Sequence, residues 1–217
     1  MAFTGWPVEA IEFYEGLEDD NSRAYWQAHK AVYTDCVKGP MEALLAELED
    51  DFGPGRVFRP NRDVRFSNDK TPYKLNCAAQ LTGGYISVSA DELFVGSGLY
   101  MLMPDDLKRF RAAIDADRSG AELEAIVATL RKAKYDVGAH ETLKTAPRGY
   151  PKDHPRIELL QYKGTVMSKA WPVGGWLGTT KAKDRVVTTL EAARPLNAWI
   201  ADHVRAPAAG SPRSSRR

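Results

Sequence analysis

Between Phe58 and Lys74 the chain reads Phe-Arg-Pro-Asn-Arg-Asp-Val-Arg-Phe-Ser-Asn-Asp-Lys-Thr-Pro-Tyr-Lys. Five cations (Arg59, Arg62, Arg65, Lys70, Lys74) and two carboxylates (Asp63, Asp69) stand among few apolar residues. Such side chains are costly to bury, so a segment that only filled a core would not carry them. The stretch is therefore expected to be either a site or an ion-pair network. As a site it would take an anion. Arg62 and Arg65 would grip phosphate or carboxylate by paired hydrogen bonds, and Lys70 and Lys74 would act as point charges. Asp63 and Asp69 would orient those cations or, with Lys70, move a proton. Ser67 supplies a hydroxyl, and Arg23, Trp26 and Tyr73 would shape the pocket. Asn21 is expected to cap a helix first and touch a ligand second. As a network, Arg62, Asp63, Arg65 and Asp69 would tie a sheet to the acidic N-terminal helices.

Narrower chemistries fit less well. Ser67-x-x-Lys70 has the form of an acyl-enzyme nucleophile motif, which needs a helix start that Pro72 would disturb. In a strand, the adjacent Asp69 and Lys70 point to opposite faces, unlike the acid and lysine of a metal nuclease. Gly96-Ser97-Gly98 lacks the third glycine and the following helix of a dinucleotide fingerprint, so a bulge or close packing is expected there. Of the four histidines, His154 stands in an Asp153-His154-Pro155 loop and is the best catalytic candidate, though a structural role fits it better. No His or Cys spacing suggests a metal site, and the residues leave the cofactor unknown.

The elements that must position these residues follow from periodicity. Val8, Ile11, Phe13, Tyr14 and Leu17 predict a first helix. Asn21 or Ser22 can cap a second, carrying Tyr25, Trp26, His29 and Tyr33. A third runs from about Pro40 through Leu44, Leu45 and Leu48 to Gly53-Pro54-Gly55. The period then becomes two. Val57 to Phe66 would set Phe58, Val64 and Phe66 on one face and Arg59, Asn61, Asp63 and Arg65 on the other. Cys77–Leu81, Tyr85–Ser89 and Leu93–Met101 follow as strands of an antiparallel meander. Pro104-Asp105-Asp106 opens another helix, and Ser119 is expected to cap the next. Thr180 to about Val204 is helical, broken or restarted at Pro195. Trp171-Pro172-Val173-Gly174-Gly175-Trp176 is an aromatic loop that would cover a ligand or pack, and Lys181 to Arg185 a solvated helix face. Helices, then strands, then helices predict an α+β fold, a single domain over residues 1–205 with a disordered basic tail over 206–217.

The chain has 217 residues and a formal net charge of +1, so the molecule as a whole is not an electrostatic nucleic-acid binder. The distribution is uneven. Met1–Gly53 carries twelve acids against three bases (net −9), and Pro54–Leu75 six bases against two acids (net +4). With no signal peptide and no apolar run of membrane length, a cytoplasmic protein off the membrane is expected.

The segment Arg62-Asp63-x-Arg65-Phe66-Ser67-x-Asp69-Lys70-Thr71-Pro72-Tyr73-Lys74 resembles the core of a widespread bacterial and fungal family of conserved hypothetical proteins, domain of unknown function 2461. That family's Asn-x-Arg-x-x-aromatic element is similar to Asn21-Ser22-Arg23-Ala24-Tyr25-Trp26. Its Gly-x-Gly-x-Tyr element is similar to Gly96-Ser97-Gly98-Leu99-Tyr100, and its later elements to Pro147-Arg148-Gly149-Tyr150 and Asp153-His154-Pro155. The resemblance runs from about Phe3 to Trp176; Asp20 stands where a second Asn is expected. It implies kinship and a place for the site, but brings no established activity. The leading expectation is recognition of a small anionic ligand, with or without chemistry on it. The alternative is a non-catalytic module docking an acidic protein or nucleic acid, with the motif as a structural network; nucleic acid is the less favoured partner.

Overall fold

The computed structural model describes residues 2–65 and 68–205. Ser67, Phe66 and the tail therefore lie outside the described residues. The fold is α+β. The chain is divided between two compact units. One comprises residues 1–97 and 168–192, the other residues 98–167 and 193–217.

The first unit begins with α1 (Val8–Asp19), which buries Ala10, Ile11, Phe13, Tyr14 and Leu17 along one stripe. Ser22 caps α2 (Arg23–Val32), its hydroxyl accepting the Tyr25 N–H at 3.1 Å. The second and third expected helices are joined. α2 runs through a π-helical stretch, Tyr33–Lys38, directly into α3 (Gly39–Phe52). Pro40 has no N–H to give and its ring crowds the preceding turn. The backbone widens just before it, with the Gly39 N–H reaching back to the Thr34 carbonyl, and the helix continues. The Trp6 indole donates to the Val37 carbonyl within this stretch, at 3.1 Å.

Strands β1 (Gly55–Val57), β2 (Asn76–Leu81), β3 (Gly84–Ser89) and β4 (Glu92–Leu99) form the antiparallel meander. With β5 (Asp136–Gly138) and β6 (Thr165–Pro172) the sheet order is β1-β2-β3-β4-β6-β5. Register sorts the first four strands into two faces. Cys77, Ala79, Leu81, Ile86, Val88, Leu93 and Val95 are all at most 2% exposed and join a core with Leu17, Val37, Met41, Leu44 and Leu48. From α7 (Lys181–Ala192) come Val186 and Leu190. Burying each large aliphatic side chain contributes about 1.5–3 kcal/mol. The alternate residues share the opposite face: Arg56 opposes Gln80, Gln80 opposes Tyr85, Ala78 opposes Ser87, and Ser87 opposes Phe94.

The expected long first strand is not formed; β1 ends at Val57. One bond to β2 persists beyond it, and the two arms of the segment then pair with each other. The Phe58 N–H donates to Ala78, the Lys74 N–H to Pro60 and the Arg62 N–H to Pro72, at 2.8, 2.8 and 2.9 Å. Pro60 and Pro72 have no N–H to extend a ladder, so the segment becomes a stem with a loop rather than a strand.

The second unit packs α4 (Pro104–Asp115), α5 (Asp117–Lys132), α6 (Ile157–Gln161) and α8 (Arg194–His203) around Phe110, Ile114, Leu123, Leu160, Leu196 and Trp199. Pro195 lies in the first turn of α8, where its missing N–H costs nothing. Ser119 is not a cap: α5 begins before it, and its hydroxyl donates to the Ala113 carbonyl at 2.6 Å. Among the described residues no helix is long and apolar enough to cross a membrane.

Candidate functional site

Residues 58–74 leave β1, turn, and return into β2, and the returning end is fixed from beneath at Tyr73. The Asn21 side chain does not cap α2. Its Oδ1 accepts the Tyr73 N–H at 3.0 Å and its Nδ2 donates to the Tyr73 carbonyl at 3.1 Å, the two bonds a neighbouring strand would make. Trp26 is stacked on the Tyr73 ring at 4.3 Å and 8°. Both rings are 6% exposed, so Trp26 is a floor for the motif and not a lid over it. Arg23 opens α2 and is exposed.

The loop itself is closed by its own charges. Arg62 donates to the Asp69 carboxylate and to the Thr71 hydroxyl. Asp69 also accepts the Thr71 N–H at 2.9 Å and the Thr71 hydroxyl at 2.8 Å, a turn stabilised by an aspartate on its own backbone. The Thr71 amide above all, then Arg62, holds the Asp69 carboxyl down at about 2. Arg65 grips Asp63 with Nε and Nη2 at 2.9 and 2.6 Å and lowers the Asp63 pKa. Lys70 donates to the Val64 carbonyl at 2.9 Å. The pairs are exposed and internal to the loop. They do not tie the sheet to the acidic helices; Asn21 and Trp26 make that tie.

A second set of cations has no carboxylate at ion-pair distance among the described residues: Arg56, Arg59 and Lys74. Arg56 and Lys74 each lie 5.4 Å from the centre of the Phe58 ring, a distance at which ring and cation attract. Arg59 is exposed and pulls the Asp63 pKa down through space. Sequence reasoning gave the anion-holding role to Arg62, Arg65, Lys70 and Lys74, read Phe58 only as an apolar strand residue, and passed over Arg56. The available signal was the i, i+2 spacing of Arg56 and Phe58, which puts both on one side of a strand. Alongside, α3 and β1 border an open groove of about 490 Å³ that includes Lys38, Glu42, Glu49 and Arg56. Lys38 is paired with Glu42 at 2.6 Å, so the groove favours neither sign of charge.

The other singled-out motifs are built into the structure. The Ser97 hydroxyl donates to the Gly83 carbonyl at 2.6 Å, and a side chain at Gly98 (φ 120°) would strike the Thr165 carbonyl. Gly98 thus serves close packing. The His154 side chain is 9% exposed. Its Nδ1 accepts the Arg156 N–H at 2.9 Å, which leaves the proton on Nε2, 3.2 Å from Asp115. The Arg185 guanidinium lies 3.6 Å from the Trp176 ring centre and 5.8 Å from that of Trp171, so these tryptophans pack on α7 and the Lys181–Arg185 face is not simply solvated. Lys183 is paired with Glu47 at 2.7 Å. Among the described residues no group of three or more His, Cys, Asp or Glu is placed to hold a metal ion.

The family model of conserved hypothetical proteins (DUF2461) matches residues 9–199, and the chain belongs to that family. No curated protein matches the chain.

Proposed function

We propose that the protein binds a small anion, phosphorylated or carboxylated, on the basic stem of the Arg62–Lys74 loop. Arg56, Arg59 and Lys74 hold the charge, while Arg62, Arg65, Asp63, Asp69 and Lys70 keep the loop in shape. The observation that carries this is a division of labour among the cations. The loop's two carboxylates are taken up by Arg62 and Arg65, whereas the three cations at its base are left with a ring and solvent. A cation without a fixed partner loses less on meeting an anion than one that must first give up a carboxylate. Asn21 and the Trp26–Tyr73 stack hold the stem, which lowers the ordering cost of binding.

Isothermal titration with pyrophosphate and ribose 5-phosphate tests this reading. Wild type is expected to bind at least one of them, and Lys74→Met and Arg56→Gln each to weaken it severalfold. Absence of heat in the wild type, or equal affinity in the Lys74→Met, Arg56→Gln double variant, would sink it. The internal pairing of every loop carboxylate also favours a second reading, in which the motif only builds the fold. On that reading Arg62→Met lowers the melting midpoint and no anion raises it.

A further inference from the structure

We infer that the anion carries an aromatic base: the ligand is a mononucleotide, its base stacked within a cluster of three rings on the sheet face turned from the core and its phosphate at Arg56 and Lys74. This rests on the anion-binding reading above and names its substrate class. Phe58 and Phe94 stand in one cross-strand row, Phe58–Ala78–Ser87–Phe94, with small residues between them. Strands lie about 4.8 Å apart, so the ends of that row are separated by about 14 Å. Tyr85, in the adjacent row Arg56–Gln80–Tyr85–Gly96, fills the interval. Its ring centre is 6.4 Å from that of Phe58 and 6.0 Å from that of Phe94.

The rings are half-buried and cover Ala78 and Ser87 between them, while Ile86, Val88, Leu93 and Val95 on the other face are closed off. Tyr85 is tilted 37° to Phe58 and stands edge-on to Phe94 at 71°, so a base lays its π face on one of these rings and meets the edge of a neighbour. Polar groups of the right kind border the cluster. Asn76 and Gln80 share this face and can read base edges, with Asn76 Nδ2 anchored on the Ser87 hydroxyl at 2.8 Å. The positive charge is at one end only: Arg56 and Lys74 lie by Phe58, whereas Glu92, two residues before Phe94 on the same face of β4, puts an acid at the other. That asymmetry selects the occupant. A nucleic-acid strand needs cations repeated along its path, whereas a mononucleotide has one base for the rings and one phosphate for the cations.

The experiment is a titration of the full chain with adenosine 5′-monophosphate, ribose 5-phosphate, adenosine and a short oligodeoxythymidine. The nucleotide is expected to bind about tenfold or more tightly than ribose 5-phosphate, in line with one stacked base. Tyr85→Leu, which keeps an apolar side chain, should erase that difference and leave ribose 5-phosphate binding unchanged. Should the variant melt too low to assay, the wild-type comparison of nucleotide with ribose 5-phosphate decides alone. Equal affinity for those two overturns this inference and leaves the anion site standing. Adenosine binding as tightly as its phosphate would sink the anion reading itself. An oligonucleotide that binds while the mononucleotide does not overturns the inference in favour of an extended strand.

Discussion

Alternate residues of the same four strands make two surfaces that are held together by different physics. On one, Ala79, Ile86, Leu93 and Val95 reach 0% exposure against helical side chains. On the other, Phe58, Tyr85 and Phe94 are half-buried among Arg56, Lys74, Asn76 and Gln80. The first surface is determined by volume and water exclusion, which tolerate little change. The second is determined by a few polar contacts and by a loop that closes on itself. The core-forming face and the face proposed to meet a ligand are separated here by the pleat, one residue apart in sequence.

The sharpest way to break that contrast is Ile86→Ala against Tyr85→Leu. Ile86→Ala is expected to cost about 2–5 kcal/mol in urea unfolding, while its neighbour on the other face should cost much less and act on ligand affinity. Comparable losses would mean that both faces are core. Next in size is Asn21→Ala, which strips the Tyr73 amide and carbonyl of their side-chain partners. A loss of about 1–3 kcal/mol is expected, and Asn21→Asp, which keeps only the acceptor, should recover part of it.

Smaller still is the acid response. The Asp69 carboxyl is held at about 2, below its ordinary 3.8. A depressed folded-state pKa gives stability that is whole above the ordinary value and is lost as pH falls through the folded one. Loop amide exchange should therefore quicken between about pH 4 and pH 2 while the β3 and β4 amides stay protected. Because Asp69 is exposed, added salt should shrink the effect. Least of all in energy is thiol labelling. Burial pushes the Cys77 thiol, on the closed face, up to about 12, so it should react far more slowly than the half-exposed Cys36. Equal labelling rates would show that the closed face opens.

The meander, the first helix and the Pro195 restart were legible because each rests on local rules: alternation, helical stripe, proline at a first turn. The loop was legible as a place but not as a geometry. Whether Arg62 meets Asp69 or a ligand depends on the path between two prolines, which periodicity does not report. Asn21 shows the same gap. Its type and position fit a cap, and only tertiary structure brings Tyr73, 52 residues away, into its reach. Arg56 was the signal missed, since a three-residue strand is too short for its alternation with Phe58 to stand out. Tyr14 exposes a further limit. Its hydroxyl is buried with no hydrogen-bond partner among the described residues, and burial raises its pKa above the usual tyrosine range, which nothing in its helical stripe announces.

The widened helical stretch before Pro40 has a geometric effect along the whole α2–α3 rod. Buried Tyr33, Val37, Met41 and Leu45 follow one another at intervals of four. In a helix of 3.6 residues per turn each such step overshoots a full revolution by roughly 40°, so the stripe would wind off the core. The extra residue accommodated over Tyr33–Lys38 resets the angular phase, letting a period-four stripe run nearly straight. Removing one residue there would rotate everything beyond it by roughly 100° and swing Leu44 and Leu48 away from the sheet. The proline that looks like a helix breaker thus marks a timing correction, one that keeps two halves of a single rod facing the same way.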